Sequence, residues 1–524
     1  MEPNTPEVLV VGGSLVGLSS ALFLATRGVS TLLVEPHLGS HPHPRAVGYT
    51  ARTMELFRAV GVVDRIPEAP ASFRLRRCRV ESLAGAWHDE TPWTPEAAAR
   101  PSDPGLEPSP HRGAAIAQDR LEPLLRGEAR ARGAELRLGA ELLRFTQDAD
   151  GVTAQVRDPD GRAVEVRARF MIAADGGQSG VREALGIARR GRGFIRTVRS
   201  VLFEAPLDAY LARGVSQFEI TQPGLAAFLT TYGDGRWVLM FLDDVERPDD
   251  ALVDAIFMAI GRRDLPVRVL ATGRWELTAL VAERFAEGRV FLAGDAAHTL
   301  PPTRGGFGAN TGIHDAYDLA WKLEAVLRGR SGPALLDTYD AERRPVAWTR
   351  LLQTFARPDY AREARGIADG VALLDDVALE LGQLYRSNAV LGAGPELPEA
   401  ARPDQWRGPP GARAPHRWVD RAGARISTLD LFGAGWVLVA DGDRWRDAAA
   451  SAGQALGIDL DVVRLGVDVR GDDLAAAFGL EAGGASLVRP DGVVAWRTIA
   501  APDDPAAALT QALAAVAAAP GRGS

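Results

Sequence analysis

The chain has 524 residues, 46% hydrophobic and 24% charged, proportions that exclude a largely disordered, fibrous or membrane-spanning protein. Its length suggests about three domains. The formal net charge of −8 excludes the overall basic field of a nucleic-acid-binding protein. The single cysteine, Cys78, excludes an intrachain disulfide and a multi-cysteine metal or redox site. The N-terminal residues lack the basic start and apolar core of a secretory signal, so we expect a cytoplasmic protein.

The first 36 residues predict a βαβ unit. Val8–Val11 is a continuous apolar run, which is typical of a buried parallel strand. Apolar side chains then recur at helical spacing between Leu18 and Ala25, and residues 31–34 form a second strand. The following segments predict helices at 52–60 and 119–132, and a hairpin with strands at 152–156 and 164–168.

The middle of the chain predicts a different architecture. Residues 187–284 contain alternating runs such as Trp237–Phe241, which favour an antiparallel sheet over further βαβ units. A similar insertion is expected between Ser72 and Ser109, where proline and tryptophan are dense. A strand at 289–293 and a helix at 313–327 then restore the βα pattern.

The C-terminal residues predict a third unit. Residues 395–415 are rich in glycine and proline, which is typical of a linker or an irregular entry. Beyond them we expect strands at 436–440, 460–465, 486–488 and 492–496, followed by a final alanine-rich helix.

The loop after the first strand carries a nucleotide-binding pattern. Gly12, Gly13, Ser14 and Gly17 stand where a dinucleotide loop has Gly-x-Gly-x-x-Gly, with Ser14 in place of the middle glycine. Glu35 ends the second strand, where a carboxylate can bind ribose hydroxyls. The glycines alone are also compatible with a structural turn. Their position between a predicted strand and a predicted helix, together with Glu35, predicts a site for FAD or NAD rather than NADP.

Two further strands end in acidic loops. One ends in Asp175-Gly176 and the other contains Gly294-Asp295. Such an aspartate can simply cap the next helix. However, residues 301–310 are glycine-rich, which lets backbone amides reach a planar, polar ring system. An extended FAD needs this third site, whereas a nicotinamide-only enzyme does not, so the three loops together indicate FAD.

These motifs resemble those of the class A flavoprotein monooxygenases that are similar to para-hydroxybenzoate hydroxylase. Residues 45–48 and 52–56 look most like the bacterial aromatic polyketide hydroxylases, many of which carry a C-terminal thioredoxin-like domain without a redox motif. The other matching motifs are the N-terminal loop with Glu35, Asp175-Gly176 with residues 179–182, Gly294-Asp295 with the proline- and glycine-containing residues 301–310, and residues 315–323 and 339–345.

The resemblance implies an α/β fold with three domains. A discontinuous Rossmann-like FAD-binding domain would comprise residues 1–72, 105–186 and 286–390. An inserted antiparallel-sheet domain of residues 73–104 and 187–285 would bind the substrate. Residues 395–524 would form the thioredoxin-like C-terminal domain.

The resemblance also implies roles for individual residues. The N-terminal loop would approach the pyrophosphate of non-covalently bound FAD, Glu35 the adenosine ribose, and Asp295 the ribityl chain. Asp175 and Arg182 belong to an element that handles both FAD and NADPH. The remaining cofactor positions are Arg45, Gln118, Leu142 near the adenine, and Gly308, Ala309 and Asn310 beside the flavin ring.

The function implied is hydroxylation of a polycyclic aromatic polyketide in antibiotic biosynthesis, with NAD(P)H as a transient co-substrate and O₂, through a flavin C4a-hydroperoxide. The alternatives are epoxidation or Baeyer–Villiger oxidation of such a scaffold, and hydroxylation of a smaller phenol or a rifamycin-like antibiotic. A flavin reductase or dehydrogenase that does not activate oxygen, and a scaffold protein, belong to other classes. Neither a nucleic-acid nor a membrane partner is expected, and a homodimer is left open.

Phe228, Tyr232 and Trp237 are candidates to line a pocket for a flat substrate, although most such aromatics belong to a core. His298 follows Gly294-Asp295 and is interpreted mainly as structural, with a chemical role as the alternative. His41 and His43 lie in a proline-rich loop and are expected to be solvated. The sequence identifies no catalytic base and no metal site.

Overall fold

The computed structural model of the protein describes residues 5–43, 46–69, 76–91, 107–302, 306–360 and 362–518. The strands in these residues are β1 (Val8–Val11), β2 (Thr31–Glu35), β3 (Gly48–Tyr49), β4 (Arg77–Val80), β5 (Trp87–Thr91), β6 (Ala114–Ala115), β7 (Glu135–Leu138), β8 (Glu141–Gln147), β9 (Val152–Arg157), β10 (Ala163–Ala168), β11 (Phe170–Ala173), β12 (Arg189–Glu204), β13 (Gln217–Gln222), β14 (Leu225–Thr231), β15 (Arg236–Phe241), β16 (Arg268–Ala282), β17 (Ala286–Glu287), β18 (Val290–Leu292), β19 (His298–Thr299), β20 (Trp418–Arg421), β21 (Ala424–Ser427), β22 (Trp436–Ala440), β23 (Leu460–Arg464), β24 (Ala485–Val488) and β25 (Val494–Thr498).

The α-helices in the same residues are α1 (Leu15–Thr26), α2 (Ala51–Ala59), α3 (Gln118–Ala131), α4 (Gly180–Ala184), α5 (Asp249–Ile260), α6 (Phe307–Leu327), α7 (Ala334–Phe355), α8 (Asp376–Leu381), α9 (Trp445–Leu456), α10 (Leu474–Ala477) and α11 (Pro505–Val516).

A six-stranded sheet with the order β17-β18-β11-β1-β2-β7 forms the first layer. Its strands are parallel except for β17, and β1 pairs with both β2 and β11. Every residue of β1 is buried, as expected of a central strand in a parallel sheet whose two faces are both covered. The arrangement confirms the predicted βαβ unit and places the carboxyl ends of β1, β11 and β18 at one edge. The predicted hairpin is also confirmed as β9 and β10.

An eight-stranded sheet with the order β19-β16-β12-β15-β14-β13-β4-β5 forms the second layer. Its pairs are antiparallel except β13 with β4, which confirms the antiparallel architecture expected there. Helix α5, which the sequence analysis did not predict, covers one face with Leu252 and Ile256. The opposite face packs Leu202, Val238 and Tyr232 against Ala117, which immediately precedes α3.

The C-terminal residues form a four-stranded sheet with the order β23-β22-β24-β25. The pair β22–β23 is parallel and the pairs β22–β24 and β24–β25 are antiparallel, so a βαβ half is followed by a ββα half. This is the predicted thioredoxin-like arrangement. The unit shares a core with the rest of the chain, since Trp436 packs edge-on against Trp321 of α6 with 6.0 Å between ring centroids.

None of the helices in the described ranges combines the length and the apolar composition needed to cross a membrane.

Candidate active site

The glycines of the N-terminal loop allow the turn between β1 and α1. Gly12 has φ of +103°, and a Cβ there would lie 2.3 Å from the Ala174 carbonyl oxygen. A Cβ on Gly17 would lie 1.8 Å from the Gly12 carbonyl oxygen. Because neither atom can be accommodated, only glycine permits this close approach of strand, loop and helix. The loop therefore has the backbone shape that a dinucleotide-binding turn requires.

Ser14 connects this loop to α3. It precedes α1, but its hydroxyl does not cap that helix. Instead Ser14 Oγ donates to Glu122 Oε1 at 2.6 Å and accepts from Gln118 Nε2 at 2.9 Å. Gln118 Oε1 in turn accepts from the Ala46 amide at 3.2 Å. The structure thus brings Ser14 and Gln118 together, while Arg45, the residue before Ala46, lies outside the described residues.

Glu35 lies against the same loop at the end of β2. Its Oε2 accepts a 2.6 Å hydrogen bond from the Gly13 amide, and its Oε1 accepts one from the His37 amide at 2.9 Å. The Glu35 carbonyl accepts from the Ala140 amide at 3.0 Å, which brings the start of β8, with half-buried Leu142, next to this edge. The predicted ribose and adenine positions are therefore neighbours of the phosphate loop.

The Gly294-Asp295 loop meets the start of α6. Residues 294–296 form a short 3₁₀ helix directly after β18. A Cβ on Gly308 would have Asp295 Oδ1 as a nearest atom, at 3.9 Å, so the two predicted cofactor positions lie side by side, at van der Waals distance for such a Cβ. Helix α6 has no acidic residue in its first turn and no side-chain cap. Its first amides and its dipole therefore favour negative charge on a neighbouring group.

The Asn310 side chain is engaged by the protein itself. Its Oδ1 accepts from the Thr50 amide at 3.0 Å and from Thr53 Oγ1 at 2.6 Å. Its Nδ2 donates to the Gly48 and Gly306 carbonyls at 3.1 and 2.9 Å. Both acceptor sites and both donors of the amide are therefore used. A contact between Asn310 and a flavin ring would have to come from its backbone rather than from its side chain.

Asp175 and Arg182 link the Asp175-Gly176 loop to the Gly294-Asp295 loop. Asp175 Oδ2 accepts from the Val181 amide at 3.1 Å, while Asp175 Oδ1 is buried without a hydrogen-bond partner. Arg182 is 2% exposed and donates to the carbonyls of Gly177 and Ala296, each at 3.2 Å. Burial, aided by the nearby Arg189, lowers the pKa of Arg182. A buried Arg182 ties the two loops together and is poorly placed to contact a dissociable coenzyme directly.

The sequence analysis missed a buried acid–base cluster beneath the Gly294-Asp295 loop. Asp315 Oδ2 accepts from His298 Nε2 at 2.7 Å and from the Gly294 amide at 3.2 Å. Asp315 Oδ1 accepts from Arg343 Nε at 2.8 Å. All three side chains are completely buried, and His298 Nδ1 has no partner. His298 thus supports the Gly294-Asp295 loop. The sequence analysis recognised the motif of residues 315–323, but the sequence does not indicate that Asp315 pairs with His298 and Arg343.

The three candidate substrate residues do not share a face. Phe228 pairs with Met240, which packs against the cluster of Tyr232, Val238 and Ala117. Phe228 and Tyr232 therefore lie on the same face of the sheet. Trp237 lies on the other face, fully buried beneath α5. Successive side chains of a strand alternate between faces, so the expected contact of Trp237 with substrate does not fit this structure. Phe228 and Tyr232 remain candidates.

The expectation that His43 is solvated is wrong. His43 is 4% exposed, and its Nε2 lies 2.7 Å from Ser200 Oγ on β12. Its ring also packs edge-on against Trp275 of β16. His43 is therefore buried against the eight-stranded sheet, whereas His41 in the same loop is exposed as expected; sequence composition alone did not reveal this difference.

Comparison with known proteins agrees with this geometry. Residues 5–354 match a family model described as FAD binding domain, and residues 407–520 match one described as aromatic-ring hydroxylase, C-terminal. Tetracenomycin A2 monooxygenase-dioxygenase of Streptomyces glaucescens is 41% identical, over 98% of this chain and 97% of its own. 4-Methyl-5-nitrocatechol 5-monooxygenase of a Burkholderia species is 38% identical, over 97% of each chain.

Among solved structures, a ternary complex of aklavinone-11 hydroxylase with FAD and aklavinone superposes with a TM-score of 0.88 at 38% identity. The superposition covers 99% of this chain and 100% of the other. Since the FAD-binding match alone spans more than half of the sequence, the chain belongs to the FAD-binding aromatic-ring hydroxylases and is an FAD-dependent monooxygenase.

Proposed function

We propose that this monooxygenase hydroxylates a polycyclic aromatic polyketide, using NAD(P)H and O₂. The observation that carries the proposal is the likeness, over nearly the whole chain, to an aklavinone hydroxylase that binds such a substrate together with FAD. The fold supports it, because the face of the eight-stranded sheet with Phe228 and Tyr232 is turned towards the nucleotide-binding part of the chain.

The cofactor placement is part of the proposal. The FAD pyrophosphate lies at the start of α1, where the first turn has neither an acidic residue nor a side-chain cap. Glu35 binds the adenosine ribose, Asp295 the ribityl chain, and the first amides of α6 the flavin ring. Asp175 Oδ1, a buried acceptor without a hydrogen-bond partner in the protein, supports a bound group at this edge of the sheet. When bound, FAD supplies the activation of oxygen.

The side chains of this protein then position the reactants and exclude water. The sheet face with Phe228 and Tyr232 covers the reacting centre, which strengthens electrostatic interactions there. Arg236 holds this cover in place, because it donates to Asp119 Oδ2 at 2.7 Å and lies over the Tyr232 ring. Asp119 directly follows Gln118, so the same contact ties the substrate face to the cofactor loop.

The nicotinamide co-substrate binds only transiently in this proposal. The sequence has no second strand–glycine loop–helix unit to hold it, and Glu35 belongs to the FAD loop. We retain the three-domain division with its predicted boundaries, because the six-, eight- and four-stranded sheets draw mainly on those three sets of residues. Assembly as a homodimer stays a prediction.

Labelling with ¹⁸O₂ tests the proposed reaction. With a polycyclic aromatic polyketide present, one labelled oxygen atom should enter the product for each NAD(P)H consumed, as read by mass spectrometry. A product without label would remove the hydroxylation and favour a reductase or dehydrogenase. A labelled Baeyer–Villiger or epoxide product would support oxygenation but show that the reaction is not hydroxylation.

Hydroxylation of a smaller phenol is the second candidate, and the similarity to a nitrocatechol monooxygenase favours it. The same assay with simple phenols distinguishes the two. Labelled product from phenols alone would retain the monooxygenase reaction and discard the polyketide as substrate.

A further inference from the structure

A buried ionic cluster joins α6 and α7 to the C-terminal unit. Lys322, the single lysine of the chain, donates from Nζ to Asp318 Oδ2 and to Glu342 Oε2, each at 2.8 Å. Arg489 of the C-terminal unit donates to both oxygens of Glu342, at 2.5 and 3.0 Å. It also bonds Asp491 with Nε at 3.0 Å and approaches Asp318 at 3.4 Å. Each of these side chains is at most 3% exposed.

The cluster depends on Arg489 for its charge balance. Two cations face three carboxylates, and removing one partner of such a buried group leaves an uncompensated charge. Burial raises the pKa of Asp318 to about 7, whereas the cations Arg489 and Lys322 lower the pKa of Glu342 against the effect of burial. With Asp318 protonated, two positive and two negative charges remain. Without Arg489 the carboxylates outnumber the single lysine.

The ionic cluster continues into the candidate flavin site. Arg343, the residue after Glu342 on α7, donates to Tyr385 Oη at 2.6 Å and to Asp315 Oδ1 at 2.8 Å. Asp315 holds the Gly294 amide and His298, as described above. The Arg489 guanidinium lies 5.8 Å from the centre of the Tyr385 ring. Contacts therefore connect the C-terminal unit to the Gly294-Asp295 loop through half-buried Tyr385 and the completely buried Arg343 and Asp315.

Packing along α6 makes this connection rigid. The Arg489 guanidinium lies 5.2 Å from the centre of the Trp321 ring, and Trp321 packs on Trp436 of β22. At the other end of α6, a Cβ on Gly312 would lie 2.8 Å from Gly294 Cα. A shift of α6 caused at the C-terminal unit cannot be absorbed at this contact, since the helix already touches the loop backbone.

We propose that Arg489 is a positioning residue of the flavin site: from the C-terminal unit it holds α6 and α7 in the arrangement that places the Gly294-Asp295 loop against FAD. The inference rests on the proposed contact of Asp295 with the cofactor. It gives the C-terminal unit a role in cofactor binding without any residue of that unit touching the cofactor. Arginine is required because its fork bonds Glu342 and Asp491 simultaneously, which an ammonium cannot reproduce.

The test compares Arg489→Met with Arg464→Met as the matched control. Arg464 lies in the same unit and pairs only locally, with Asp468 at 2.8 Å and with Asp443. FAD dissociation constants are measured by titrating the apoproteins, well below their unfolding midpoints. We expect Arg489→Met to raise the dissociation constant about tenfold and Arg464→Met to change it less than about twofold.

Coupling to Asp295→Ala separates positioning from a general loss of stability. If Arg489 acts through the loop, Arg489→Met should weaken FAD binding about tenfold in the native background but less than about threefold in the Asp295→Ala background. Equal effects in both backgrounds, or a folded Arg489→Met protein with the native dissociation constant, would overturn the inference. If Asp295→Ala alone leaves FAD binding unchanged, the proposed placement of Asp295 fails and the inference fails with it.

Arg489→Lys covers the case in which the methionine variant does not fold. It keeps the charge of the cluster but loses the two-pronged contact with Glu342. A folded Arg489→Lys protein should still bind FAD several-fold more weakly than the native protein, with a visible absorption spectrum altered from that of native bound FAD. Native affinity and a native spectrum in this variant would equally overturn the inference.

Discussion

Replacing Gly312 by alanine should destabilise the apoprotein although it removes a glycine from the interior of a helix. The new Cβ would lie 2.5 Å from Val16 Cγ2 and 2.8 Å from Gly294 Cα. Val16 can rotate away, but the Gly294 backbone cannot, so we take about 3 kcal/mol for the overpacking. The higher helix propensity of alanine than of glycine offsets about 1 kcal/mol of this cost. The net loss of about 2 kcal/mol corresponds to a fall of roughly 2 °C in the unfolding midpoint of a 524-residue chain.

Gly308→Ala is the matched control, four residues earlier on α6. Its Cβ would meet no atom closer than 3.9 Å, so the apoprotein should keep its unfolding midpoint or gain slightly from helix propensity. FAD affinity should nevertheless fall several-fold, because the methyl group enters the space assigned to the flavin ring. Thermal unfolding and apoprotein titration read the two effects separately. A Gly312→Ala midpoint at or above the native value would refute the packing argument, and native FAD affinity in Gly308→Ala would refute the assigned position of the ring.

Three other changes have directions fixed by the structure. Ser14→Gly should lower the apoprotein's stability by about 1–2 kcal/mol, because buried Glu122 loses a hydroxyl donor; FAD affinity should stay within about threefold, since the loop amides are kept. His298→Gln should be more stable than His298→Asn, because only glutamine can place an amide where Nε2 meets Asp315; the reverse order in thermal unfolding would contradict this geometry. Burial raises the pKa of Asp318 to about 7 from its usual 3.8, so the stability contributed by its neutral form is present below about pH 4 and is lost as the pH rises through 7. Asp318→Asn cannot ionise and should flatten the decline of the unfolding midpoint between about pH 4 and 7; an unchanged slope would show that other groups cause the decline.

Local patterns predicted the elements that depend on local contacts. The strand β22 was predicted with its observed bounds, and α3 differs from its prediction by a single residue at each end. The strand β22 is a continuous apolar run, and the apolar residues of α3 recur at helical spacing despite Pro123 in its interior. Helix α6 was predicted to begin at residue 313 but begins at Phe307, because the glycines near its start hide the pattern. Helix α7 was not predicted, and Pro345 in its interior argues against a helix when read alone.

Contacts between distant residues lay beyond this reasoning. The alternation of β12 is interrupted by register shifts near Gly191 and Phe194, so its sixteen-residue length was not visible. The motif positions around Asp295 were found because their residue types carry the chemistry. The pairing of Asp315 with Arg343, 28 residues later, has no such signal. Likewise, only the structure shows that the substrate face excludes Trp237, because the choice of face depends on which neighbour covers each side of the sheet.

The ionic cluster between α7 and the C-terminal unit has a consequence for the synthesis of the chain. Glu342 and Arg489 are separated by 147 residues, so at roughly 5–20 residues per second the ribosome completes Asp318 and Glu342 about 7–30 s before Arg489. During that interval α6 and α7 can pack, but their buried carboxylates lack their main counter-charge. We therefore expect a nascent or truncated chain that lacks Arg489 to hold Asp318 and Glu342 with an excess of negative charge. If Arg489 positions the Gly294-Asp295 loop as proposed, we expect the polypeptide to retain its cofactor only after the C-terminal unit is complete.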